Sequence, residues 1–122
     1  MTKLFVLAGE LSGDLHGGNV LKHLKSLRPD LDIIGTGGEI ISQFSSELYY
    51  HTEELEVIGF IEVAKRYKFY KGVFDFIVSK LDEVKPDAIL LIDYPGFNLK
   101  LAAEAKKRGI KLSGYLYQIA KN

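Results

Sequence analysis

The chain predicts an α/β fold in which a parallel sheet carries helices on both faces, and three observations lead there. Two short runs, Leu4 to Ala8 and Ala88 to Ile92, are apolar at every position, the pattern of strands covered on both sides. Segments with apolar residues at helical spacing alternate with the strand-like runs. Glycine-rich or Pro-Gly turns follow those runs, where ligands of parallel sheets bind.

Taken in order, the first strand opens into Gly9-Glu10-Leu11-Ser12-Gly13-Asp14. Leu15 to Leu27 reads as a helix, with a stripe at Val20, Leu21, Leu24 and Leu27 and Pro29 just beyond it. Asp32 to Gly35 is a second strand, closed by Thr36-Gly37-Gly38. Glu39 to Phe44 fits a short helix and Leu48 to Tyr50 a short strand. Glu53 to Val84 is mostly helical and is broken by Pro86. The strand Ala88 to Ile92 ends in Asp93, and Asn98 is placed to cap a helix running to Arg108. Lys106, Lys107 and Arg108 suit the negative end of that helix, and Gly109 stops it. Ile110 to Tyr117 reads as the last strand.

Composition narrows the function classes. The 122 residues make one domain, and 47% hydrophobic with 26% charged residues is an ordinary globular mixture. Sixteen basic and sixteen acidic residues cancel, so no net field draws the chain to nucleic acid. Charge is uneven along the chain, however: Glu53, Glu54, Glu56 and Glu62 precede Lys65, Arg66, Lys68 and Lys71. There is no cysteine, and His16, His23 and His51 lack metal-site spacing, so neither disulfide nor metal is expected. The short apolar start fits neither a signal peptide nor a membrane span, and a cytoplasmic setting is expected.

Three features carry candidate chemistry. Gly9 to Asp14 sets Glu10, Ser12 and a helix N-terminus at the strand's end, either to hold a polar ligand or, through Ser12 or Asp14, merely to cap the helix. The run lacks Gly-x-Gly-x-x-Gly and Gly-Lys-Ser/Thr, and Glu10 would repel a pyrophosphate, so a sugar is the better guest. His16, one turn on, either binds a hydroxyl or is exposed. Asp93 would face the same crevice if the first and fourth strands are neighbours, where a carboxylate can take a proton from an attacking hydroxyl. Finally, Lys65 to Leu81 carries an apolar arc of about 200°, wider than the roughly 100° stripe of a core helix. Either Lys68, Phe69, Tyr70, Lys71, Val73 and Phe74 meet lipid, or the arc is an aromatic-rich core face.

Four blocks together resemble the amino-terminal part of the lipid-A-disaccharide synthase family: Ala8 to Asp14 with His16-Gly17, Gly35 to Gly38, Glu54 to Val63, and Ile92 to Leu99. The resemblance implies a metal-free, cofactor-free GT-B glycosyltransferase with two Rossmann-like domains. Such enzymes transfer diacylglucosamine, with inversion, from UDP to the 6-hydroxyl of diacylglucosamine 1-phosphate. They work at the cytoplasmic face of the bacterial inner membrane, which brings the helix from Lys65 to Leu81 against lipid. Asp93 is implied as the base, and Glu10, Ser12, Gly13, Asp14, His16, Gly37, Gly38 and Asn98 as substrate-binding. Residues 1–122 then form one incomplete acceptor-side domain without the UDP-sugar domain, inactive alone and open to self-association along a bare sheet edge. After the last strand this chain lacks the family's usual Ser-Pro and tryptophan-rich segment. A lipid or sugar-phosphate binding module, or an interaction domain that kept the fold, is the alternative expectation.

Overall fold

A computed structural model describes residues 2–56, 62–92 and 94–113. The described elements run β1 (Lys3–Ala8), α1 (Leu11–Leu27), β2 (Asp32–Gly37), α2 (Glu39–Ser42), β3 (Glu47–His51), α3 (Thr52–Glu56), α4 (Val63–Val84), β4 (Ala88–Ile92), α5 (Pro95–Lys107) and β5 (Lys111–Ser113). All strand pairs are parallel, and the sheet order is β3-β2-β1-β4-β5. That is the expected α/β architecture.

Period-two alternation sends neighbouring strand residues to opposite layers. Phe5, Leu7, Ile34, Ile89 and Leu91 meet α4 through Val73, Ile77 and Leu81, and α5 through Phe97, Leu101 and Ala105. Leu4, Val6, Ala8, Ile33, Leu90 and Ile92 meet Leu21 of α1 and Ile41 of α2. Both faces of β1 and β4 are therefore covered, which is why their sequences lack any polar alternation.

Two local devices join β1 to β2. Gly35 has φ +138°, and a Cβ there would stand 1.9 Å from the Val6 carbonyl oxygen, so only glycine fits. The β2–β3 register slips directly after it, between Gly35 and Thr36. Beyond that point the buried Thr36 hydroxyl donates to the Ala8 carbonyl at 2.8 Å and accepts the Ala8 N–H at 2.9 Å. A side chain thus completes the end of β1 where the ladder stops.

Several boundaries differ from the sequence-based expectation. Helix α1 begins at Leu11, not Leu15, with Glu10 as N-cap and no side-chain cap from that residue. The Gly17-Gly18 pair lets α1 pack closely, since a Cβ on Gly17 would lie 2.5 Å from Ile92 and one on Gly18 2.1 Å from Ile40. Strand β2 continues through Gly37. Within the expected helical stretch from Glu53 to Val84 the described residues lie in α3 and α4 apart from Glu62, and residues 57–61 lie outside the described set. Asn98 is not a cap: α5 starts at Pro95, whose fixed φ suits a first helical turn, and Tyr94 is the N-cap. Of the expected last strand, Lys111–Ser113 is described and 114–117 lie outside the described residues.

Candidate active site

The Ala8–Ile92 pair ends the β1–β4 ladder, so the chain leaves both strands side by side at the C-terminal edge of the sheet. A cleft of about 460 Å³ opens there, lined by Gly9, Glu10, Leu11, Ser12, Leu55, Glu56 and Tyr94. Its position matches the crevice where parallel α/β sheets bind ligands.

One wall is aromatic. The Tyr94 ring lies against Gly9 so closely that a Cβ there would stand 2.5 Å from it. Tyr94 stacks on Phe97 at 5.1 Å, and Tyr70 and Phe74 of α4 meet Phe97 edge-on at 5.4 and 5.3 Å. Burial raises the Tyr94 phenol above its ordinary pKa, with Tyr70 and the Glu10 carboxylate adding to the shift. Tyr94 is therefore a neutral phenol at pH 7.

The other wall is acidic. Glu10 and Ser12 are exposed and line the cleft. Glu56, at the end of α3, reaches across to accept the Leu11 N–H at 3.0 Å. A glutamate 45 positions away thus takes an otherwise open N–H at the start of α1.

The remaining expected site residues are placed differently. Asp14 is 1% exposed, and its carboxylate accepts the N–H groups of Gly38 at 2.8 Å, Ile41 at 2.9 Å and Ile40 at 3.1 Å. It anchors the start of α2 and does not line the cleft, because both its oxygens are occupied by backbone. Gly37 and Gly38 are likewise packing positions: a Cβ would stand 2.5 Å from Ile41 on the first and 2.8 Å from Asp14 on the second. Gly13 is buried in the first turn of α1. His16 is exposed on α1 and engaged in an interaction of its own, and it does not line the cleft. Asn98 is fully buried one turn into α5, where neither polar atom of its amide has a partner among the described residues. Asp93, the expected base, lies outside the described residues.

The wide arc of α4 also divides. Val73 is core, 4% exposed, together with Ile77 and Leu81, so it makes no lipid contact. Burying three such side chains contributes about 5–9 kcal/mol, which decides the face that turns to the sheet. Tyr70 and Phe74 pack against the core edge, while Tyr67, Lys68, Phe69 and Lys71 remain on the surface. No helix among the described residues is long and apolar enough to cross a membrane.

Sequence reading missed Tyr94, Glu56, Leu11 and Leu55 as cleft residues. Tyr94 sits beside Asp93 in the turn already singled out, and that adjacency was a usable signal. Glu56 had none, since it stands in an acidic run and its partner is distant in sequence.

The described residues define an α/β protein with a five-stranded parallel sheet and a cleft at its carboxyl edge. The family model described as lipid-A-disaccharide synthetase matches residues 4–120. The chain belongs to that family. It is 35% identical over 113 residues to the lipid-A-disaccharide synthase of Coxiella burnetii, covering 93% of this chain and 30% of that protein. It is 38% identical over 116 residues to lipid-A-disaccharide synthase 1 of Legionella pneumophila, with 94% and 30% covered. For the Trichlorobacter lovleyi lipid-A-disaccharide synthase the identity is 33% over 114 residues, with 93% and 30% covered. The chain thus spans about 30% of the length of these curated relatives.

Proposed function

We propose that these residues supply the acceptor side of a lipid-A-disaccharide synthase, an inverting transfer of diacylglucosamine from UDP to diacylglucosamine 1-phosphate. The observation that carries this reading is the Ala8–Ile92 pairing, which ends β1 and β4 side by side, with Glu10 and Ser12 at the start of α1 and Asp93 next in sequence after Ile92. Glu10 and Ser12 hold and orient the acceptor sugar through its hydroxyls. Asp93 takes the proton of the 6-hydroxyl as its oxygen bonds to the anomeric carbon. The anomeric carbon–oxygen bond to UDP breaks on the opposite face, and UDP leaves with the bonding pair. Its charge needs cationic partners, and the described lining of this cleft holds Glu10 and Glu56 with no lysine, arginine or histidine. The donor-side contacts are therefore assigned to the carboxyl-terminal domain of the family, and the 122 residues alone form no disaccharide.

In the same reading the surface of α4 around Lys68, Phe69 and Lys71 rests on the cytoplasmic face of the inner membrane. Aromatic rings and basic heads side by side support this. The acyl chains of the acceptor then enter the cleft from the lipid side.

Titration of the chain with diacylglucosamine 1-phosphate in dilute detergent tests the assignment. Glu10→Ala is expected to weaken binding about tenfold or more, the loss of a charge-assisted hydrogen bond. Asp93→Asn is expected to bind as the unmutated chain does, because the base acts on the proton and not on affinity. No binding by the unmutated chain, or disaccharide formation by it when UDP-diacylglucosamine is added, overturns the corresponding part.

A further inference from the structure

Helix α1 has 17 residues, and its N-cap, Glu10, provides no side-chain cap. The start of such a helix attracts anions, because unpaired N–H groups and the helix dipole both favour negative charge there. In this molecule a carboxylate already holds part of that position. Glu56 Oε1 accepts the Leu11 N–H at 3.0 Å, from an element 45 residues away. The arrangement leaves Glu10 exposed on the cleft wall with no capping duty. Two carboxylates, Glu10 and Glu56, then face one cleft whose described lining includes no lysine, arginine or histidine.

We propose that Glu56 is a specificity-determining residue: its carboxylate stands in the anion position at the start of α1, so the cleft takes the hydroxyl-bearing face of a sugar and turns a phosphate away. The inference rests on the acceptor reading of the cleft and adds an orientation to it. The acceptor enters with its reacting hydroxyl end, and its phosphate stays outside, beyond the two carboxylates. Glu56 acts by electrostatics and by occupying an N–H, so its role differs from that of Glu10, which meets the hydroxyls.

Two measurements test this independently of each other. In the first, inorganic phosphate is titrated into ¹⁵N-labelled chain while the Leu11 and Ser12 amide resonances are followed. The unmutated chain is expected to show no saturable shift at these amides, and Glu56→Ala to show one. Glu56→Gln keeps an oxygen for the Leu11 N–H but loses the charge, and is expected to bind phosphate more weakly than Glu56→Ala. In the second, affinities for diacylglucosamine with and without its 1-phosphate are compared. The unmutated chain is expected to bind both within about twofold, and Glu56→Ala to favour the phosphorylated form by about fivefold, the scale of one anion at an exposed helix N-terminus. Saturable phosphate shifts at Leu11 and Ser12 in the unmutated chain, or an unchanged preference in Glu56→Ala, overturn the proposal. Failure of either sugar to bind the unmutated chain overturns the acceptor reading, while the phosphate titration still decides the role of Glu56.

Discussion

Asp14 and Gly38 are joined by a 2.8 Å hydrogen bond between a buried carboxylate and a backbone N–H, and the same carboxylate takes the amides of Ile40 and Ile41. One side chain in α1 therefore holds the first turn of α2, its neighbour on the same face of the sheet. The close approach of Gly38 is part of the device, because a Cβ there would stand 2.9 Å from the Thr52 hydroxyl as well as 2.8 Å from Asp14.

Asp14→Ala is expected to destabilise the fold by about 3–5 kcal/mol, since it leaves buried N–H groups without an acceptor. Asp14→Asn keeps one oxygen but turns an NH₂ toward a backbone donor, so a smaller loss of about 1–3 kcal/mol is expected. Urea unfolding followed by circular dichroism measures both. A ligand-binding role without a structural one would leave both midpoints at the unmutated value.

Arg108 closes α5 against α4. Its Nε and Nη2 donate to Asp82 at 2.6 and 3.2 Å, and its Nη1 donates to Glu104 at 3.0 Å. The hydrogen bond from Arg108 holds Asp82 below its ordinary pKa, and Arg108 followed by Lys107 does the same for Glu104. Carboxylates with depressed folded values contribute stability that is present above their unfolded pKa, about 4, and is lost as pH falls through the lower folded value. Thermal unfolding from neutral to acid pH is expected to show a shallower decline for Arg108→Ala than for the unmutated chain. Added salt is expected to shrink the difference, because these groups are at the surface. Parallel curves for the two proteins would refute the assignment.

The exposed part of α4 makes a separate prediction about lipid. Each basic residue near an anionic membrane is worth about 1 kcal/mol, so Lys68→Glu with Lys71→Glu is expected to lower affinity for anionic vesicles at least tenfold. Lys68 is expected to contribute more, because Lys71 is paired with Asp75 at 3.0 Å. Flotation with phosphatidylglycerol vesicles measures this, and salt is expected to weaken the binding. Equal flotation with zwitterionic vesicles would contradict an electrostatic contact.

Much of this protein is determined by local sequence. Leu4 to Ala8 and Ala88 to Ile92 contain only residues that suit a strand covered on both faces, and both form central strands. Glu10 and Ser12 follow a buried strand directly, so the chain itself delivers them to the sheet's carboxyl edge. Tertiary structure alone decided the rest, because the deciding partners are distant in sequence. Asp14 looks like a cap for its own helix until α2 arrives 24 residues later to take its carboxylate. Val73 shares one apolar arc with Phe69, and only the packing of α4 on the sheet separates a core residue from a surface one. Glu56 becomes a wall of the cleft because the fold sets α3 against the start of α1. Periodicity and turn chemistry act over a few residues, whereas burial and charge pairing depend on which surfaces the folded chain brings together.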